Sequence, residues 1–249
     1  MDIGAGGAIA IALVFILAGF VKGVIGLGLP TISIGLLSLI MPPAQAAALL
    51  VVPSFVTNIQ QMHPWAQVPR LVRRLWPMML GIGLGVAAGS GTLSGASAAI
   101  ASAALGAALL CYAGLGLAAI RFSIASHNEP WLGPAAGFAT GMITAATGVF
   151  VIPSVPYLQA IGLDKDDLVQ ALGLTFFVAT IALAADLVVT GALGATIGIA
   201  SLFALVPAIL GMWLGQVLRE RFTAATFRRW FFLGLACLGA YLVARNVVV

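Results

Sequence analysis

A lysine stands inside an apolar run in "GFVKGVIGLGLP", Gly19 to Pro30, with glycines on both sides of it. Lys22 is a positive charge in a segment otherwise fit for lipid, and such a charge costs about 2.5–3.5 kcal/mol on insertion scales. Chemistry of two kinds fits it. An ammonium held in the interior supplies the charge an anion loses on leaving water, whereas a lysine at the end of a helix reaches back to the interface. Both readings stay open from sequence. Gly26 and Gly28 could free backbone amides where a helix is interrupted, and the amino end of a following short helix would offer them to an anion.

A second stretch, "GFATGMITAATGVFVIPSVPYLQAIGL" from Gly137 to Leu163, repeats the arrangement without the charge. Its break is at Gly148. Thr31 and Ser33 in the first half, and Thr140, Thr144, Thr147 and Ser154 in the second, carry hydroxyls that donate to an anion without adding charge. Hydroxyls in membrane helices more often bond their own backbone, so only a subset would line a site. Asn58 lies deep enough to face a cavity, while Gln60, Gln61 and His63 read as interface residues. Asp186 is the carboxylate set well inside an apolar run, "ALAADLVVTG"; it is a candidate proton-coupling group, or else a paired or snorkelled residue near a helix end.

The elements that must position these residues follow from composition. Of 249 residues 62% are hydrophobic and 7% charged, and the mean hydropathy is +1.16, against roughly a quarter charged in soluble domains. The chain therefore reads as an all-α, polytopic membrane protein in a single domain, 1–249. The start, "MDIGAGGAIA", lacks a basic n-region, so the first helix is expected to be retained. Cys111 and Cys237 lie in apolar segments and read as packing residues. The net charge of +4 comes with arginines at membrane edges and implies no nucleic acid. Ten helical pieces are expected at about 5–21, 28–41, 44–62, 75–92, 96–120, 131–147, 149–161, 167–190, 193–217 and 227–246. The pieces 28–41 and 149–161 are too short to cross a bilayer comfortably. Each pairs with its predecessor as a broken helix, which a membrane tolerates only where protein or a cavity covers the break.

The halves align. "AGFVKGVIGLG" (Ala18 to Gly28) matches "AGFATGMITAA" (Ala136 to Ala146), and "ALLVVPSFVT" (Ala48 to Thr57) matches "ALGLTFFVAT" (Ala171 to Thr180). This supports two repeats, 1–120 and 121–249. The basic loops "RLVRR" (Arg70 to Arg74) and "RERFTAATFRR" (Arg219 to Arg229) are assigned to the cytoplasm by the positive-inside rule, which leaves an odd number of crossings between equivalent points. The repeats are then inverted, with the second beginning near Arg121, as in many secondary transporters. Arg245, which would lie near the outer face, opposes this scheme.

The paired glycine motifs and the helices after them resemble the TauE/SafE sulfite exporter family, also described as a four-toluene-sulfonate uptake permease group, over nearly the whole chain. The resemblance implies a transporter of sulfite, organosulfonates or related anions. The chain departs from the common pattern where Pro30 follows the glycines at once and Gly35 takes the register of Pro153. No HExxH, GxSxG or nucleotide loop is present, so an enzyme is not expected and no cofactor is called for. The expected function is secondary transport of a small, sulfur-containing anion by alternating access about a midplane site, in a multi-pass protein of the cell (inner) membrane. An anion channel, a structural membrane subunit or, further off, an intramembrane enzyme are the alternatives. The partners the sequence allows are the small anion, the lipid bilayer and a homo-oligomer.

Overall fold

A computed structural model of the chain describes residues 4–118, 123–221 and 223–247. The junction expected near Arg121 lies outside the described residues. The described residues form eleven α-helices: α1 (Ala5–Ile25), α2 (Leu29–Leu37), α3 (Pro43–Gln61), α4 (Val68–Ala88), α5 (Thr92–Gly95), α6 (Ala98–Ala118), α7 (Glu129–Thr147), α8 (Ser154–Ala160), α9 (Lys165–Val189), α10 (Ala195–Leu218) and α11 (Ala224–Val247). Six stretches, built on α1, α4, α6, α9, α10 and α11, are long and apolar enough to span a membrane. The protein is an all-helical, multi-pass membrane protein among the described residues.

The expected pieces are recovered with shifted ends. The short helices are shorter than expected, Leu29–Leu37 and Ser154–Ala160, because 149–153 is irregular. The segment Arg70 to Arg74 is not a loop: it lies in the first turns of α4. Pro69 suits a first turn, and Leu71, Leu75 and Met78 recur at helical spacing and are buried, so the basic run rides on the opposite, exposed face. There Arg70 pairs with Asp167 of α9, and Arg74 pairs with Glu129 of α7 at 2.7 Å. Arg245, at the other end of the bundle, donates to the Leu39 carbonyl at 3.2 Å, just beyond α2. That carbonyl gives the arginine a local reason to be there.

Glycines set the closest helix pairs. A Cβ at Gly19 would meet the Ala208 carbonyl oxygen at 2.2 Å, and one at Gly23 the Met212 oxygen at 2.2 Å. From the other side, Gly211 and Gly215 are closed by the oxygens of Ile16 and Phe20 at 2.1 and 2.2 Å. Residue numbers rise together, so α1 and α10 run parallel. The same seam joins α4 and α7, where Gly81 and Gly85 face the oxygens of Pro134 and Phe138 at 2.4 and 2.2 Å, and Gly137 and Gly141 face those of Met78 and Ile82 at 2.0 and 2.3 Å. Lipid tails are as apolar as any core, so close backbone contact supplies much of what holds such helices together. In contrast, α6 and α11 run antiparallel, with Gly106 against Gly239 and Gly116 against Phe232. Helices α3 and α9 also run antiparallel: Ser54 meets Thr180, and Gln61 reaches Val169.

Pro53 lies within α3 and leaves the Leu49 carbonyl without its helical donor. Ser201 of α10 donates to that carbonyl at 2.8 Å and accepts from the Val52 N–H at 3.1 Å. A side chain of the second half therefore repairs a helix of the first, and it fixes α3 beside α10 close to the polar cluster described next.

Candidate functional site

Both helix breaks end on a left-handed glycine, Gly26 at φ 76° and Gly148 at φ 73°. A residue with a Cβ would be strained there, and each glycine N–H closes the last turn by donating to Lys22 or Thr144. The two breaks meet α3 at different levels. Gln61, the last residue of α3, donates through Nε2 to the Gly26 carbonyl at 3.1 Å and to the Val169 carbonyl at 3.2 Å. A Cβ at Gly148 would meet Ala47, near the first residue of α3, at 3.1 Å. Along α3 these points are about 20 Å apart at 1.5 Å per residue. The ends of α1 and α7 thus sit at different levels of α3, and the second break packs on the first short helix, where a Cβ at Gly148 would meet Ile34 of α2 at 2.8 Å.

Lys22 is buried, with 3% of its surface exposed. Its Nζ donates to Thr57 Oγ1 at 3.1 Å and to Asn58 Oδ1. The Asn58 amide donates in turn to Ser54 Oγ at 3.1 Å and Thr180 Oγ1 at 3.4 Å, while Ser54 and Thr180 share a bond of 3.0 Å. All five side chains are buried. Two ion pairs occur among the described residues, Arg70–Asp167 and Arg74–Glu129, and neither involves Lys22. The hydrogen-bond partners of this ammonium are neutral oxygens. The protonated form, with two neutral acceptors, keeps one N–H for another partner, and burying its charge without a counter-charge is unfavourable.

The sequence model of the sulfite exporter TauE/SafE family matches residues 11–242, a span that takes in every residue of this cluster. The chain belongs to the sulfite exporter TauE/SafE family. No curated protein and no solved structure matches it significantly.

In this TauE/SafE chain, only Lys22 and Asn58 of the residues expected to build the site are brought together. Thr31, Ser33, Thr140, Thr144, Thr147 and Ser154 donate to carbonyls of their own helices or of the turn just before them, those of Gly28, Leu29, Ala136, Thr140, Ile143 and Phe150. Their protons are spent on backbone, so they are not free donors in this conformation. Gly28 is closed by Val21 and Phe231, whose side chains stand 2.8 and 3.2 Å from an added Cβ, and Gly148 by Ile34 at 2.8 Å. These glycines pack side chains against the breaks.

Gln61 is buried, not interfacial, whereas Gln60 and His63 are exposed. Asp186, 6% exposed, belongs to a separate cluster. Its Oδ1 accepts from Ser90 Oγ and from the Gly91 N–H at 3.0 Å, tying the end of α9 to the turn after α4. Oδ2 is buried without a partner among the described residues. Cavities of about 280 and 230 Å³ open at the two ends of the bundle, one lined by Ser38, Ser102 and Arg245 and the other by Arg70, Arg74 and Asp167. The Lys22 cluster lies in neither.

Sequence reasoning passed over Ser54, Thr57 and Thr180. A signal for two of them was present, because Thr57 and Thr180 are equivalent positions in the aligned segments. Since α3 and α9 pack antiparallel, equivalent residues are drawn toward their common axis.

Proposed function

We propose that this chain is a secondary transporter of a small, sulfur-containing anion, with Lys22 as the charge that receives it. The observation that carries this is a buried lysine Nζ whose bonded partners among the described residues are neutral, in the helix that precedes a break. An oxyanion beside Lys22 supplies the missing counter-charge, and the spare N–H supplies a charge-assisted bond. Asn58 and Ser54 then act as the polar wall, their amide and hydroxyl re-pairing with the anion when Lys22 turns to it, while Thr57 and Thr180, whose protons go to the Pro53 and Phe176 carbonyls, serve as acceptors within the cluster.

In this reading residues 1–249 form one membrane domain of two inverted repeats, 1–120 and 121–249, in the cell (inner) membrane, with the Arg70 end in the cytoplasm. The antiparallel packing of α3 with α9 and of α6 with α11 supports inversion, since each pair occupies equivalent places in the two halves. Alternating access is supported by the burial of Lys22 between two end cavities, because a closed centre must be opened to one side at a time. The same closure favours a carrier over an open channel, and no enzymatic role is proposed. The substrate class rests on family membership and on the charge of Lys22.

The test is flux through purified protein in liposomes against sulfite, thiosulfate, methanesulfonate and acetate. Saturable flux of one or more sulfur oxyanions, in preference to acetate, is expected. Unsaturable flux of all four would mark a channel, and no flux of any would overturn the reading.

A further inference from the structure

The geometry around Lys22 points to a coupling ion. Helix α1 packs on α2, α10, α11 and the turn Arg219–Arg221, and its lysine bonds to α3. Helices α2, α3 and α10 contain no ionisable residue: their sequences lack Asp, Glu, His, Lys, Arg, Cys and Tyr. The charges of the turn and of α11 at that end are Arg219, Arg221, Arg228 and Arg229, all exposed, with Glu220 between the first two in sequence. The other titratable groups of α11 are Cys237, Tyr241 and Arg245, also exposed. On α9, which meets α3 beside the cluster, Lys165 and Asp166 are exposed, Asp167 is paired with Arg70, and Asp186 is bound at Ser90 and Gly91. Among the described residues no carboxylate is bonded to Lys22.

An amine so placed has two states of low cost: neutral when the site is empty, and protonated when an anion lies beside it. We propose that Lys22 carries one proton together with each anion. This rests on the transporter reading above and adds the coupling ion to it. The neutral amine takes a proton from the compartment it faces, the ammonium binds the anion, and the pair crosses the closed state without net charge. On the far side the anion leaves, the ammonium returns its proton to water, and the carrier resets as a neutral amine. One proton and one anion move in the same direction. A monoanion crosses electroneutrally, and a dianion carries one net negative charge. Asp186 takes no part in this scheme; its carboxylate ties α9 to the turn after α4.

Methanesulfonate is the appropriate probe because it stays a monoanion across the working pH range, unlike sulfite. Proteoliposomes holding a pH dye, with the membrane potential clamped, are given an inward methanesulfonate gradient. The interior should acidify in step with uptake, at one proton per anion, and the rate should not respond to the imposed potential. Uptake without acidification, or with a rate that follows the potential, overturns coupling while leaving the transporter reading intact. No uptake of methanesulfonate, with sulfite and thiosulfate also unmoved, overturns both.

Lys22→Arg gives an independent arm. Arginine keeps the charge but does not release its proton, so anion-for-anion exchange should persist while net uptake falls by about tenfold or more, the scale of a costly return with a buried charge. Lys22→Arg with net uptake and acidification equal to the parent's would overturn the proposal. If this variant does not assemble, the parent's proton count and potential response decide the matter alone.

Discussion

Gly85→Ala should loosen the α4–α7 seam, whereas Gly83→Ala on the same helix should not. A Cβ at Gly85 would stand 2.2 Å from the Phe138 oxygen and 3.0 Å from Gly141, while one at Gly83 has nothing within 4 Å. Ordinary Cβ contact begins at 3.4 Å, so the Gly85 variant must part the two backbones by about 1 Å, and overpacking of that kind costs about 1–3 kcal/mol. Alanine's advantage in a helix, about 1 kcal/mol, offsets part of this cost at Gly85 and stands alone at Gly83. The assay is thermal unfolding of both variants in one detergent, followed by aggregation and by far-UV circular dichroism. Gly85→Ala should unfold below the parent and Gly83→Ala at or above it. The parallel seam makes the same forecast for Gly215→Ala, closed by Phe20, against Gly198→Ala, which is open. If Gly85→Ala and Gly83→Ala unfold together, the close approach of α4 and α7 is wrong, and with it the pairing of each half's first helix with the other's fourth.

Asn58→Leu removes an acceptor for Lys22 and two donors to Ser54 and Thr180; a buried network broken in this way should lower stability by about 1–3 kcal/mol and weaken transport, both readable by unfolding and flux on one preparation. Cysteine introduced at Arg73, which is exposed on α4, should resist an impermeant thiol reagent added outside intact cells and react after permeabilisation; prompt labelling from outside would reverse the assigned orientation. Asp186→Asn keeps an acceptor for Ser90 and Gly91, so it should preserve the proton count per anion in liposomes even where the rate falls, whereas loss of acidification would transfer coupling to Asp186.

Much of the helical layout was legible because a long apolar run bounded by glycine, proline or charge leaves few choices in a membrane. The αL break at Gly26 was foreshadowed by the glycine cluster after Lys22, and the likeness of "AGFVKGVIGLG" to "AGFATGMITAA" pointed to the paired architecture. The start of α4 was misread because arginine was weighed as loop-forming; the burial stripe Leu71, Leu75 and Met78 already carried the helix back to Val68. The hydroxyls were a harder case, since composition does not reveal whether Thr144 bonds to Thr140 of its own helix or turns to a ligand. Ser54, Thr57 and Thr180 emerge from tertiary packing, where two equivalent helices cross and place like residues side by side.

Binding of an anion to Lys22→Met is the most direct measurement of the central claim. Methionine preserves the stem and removes the ammonium, so the bonds to Thr57 and Asn58 vanish while the packing of α1 on α10 through Gly19 and Gly23 is untouched. Calorimetry with the sulfur oxyanion that the parent transports, on variant protein that elutes and unfolds as a folded membrane protein, should show affinity lower by about 1–3 kcal/mol, the scale of a charge-assisted hydrogen bond. Affinity equal to the parent's in a folded Lys22→Met protein would contradict the account and remove Lys22 from the anion site.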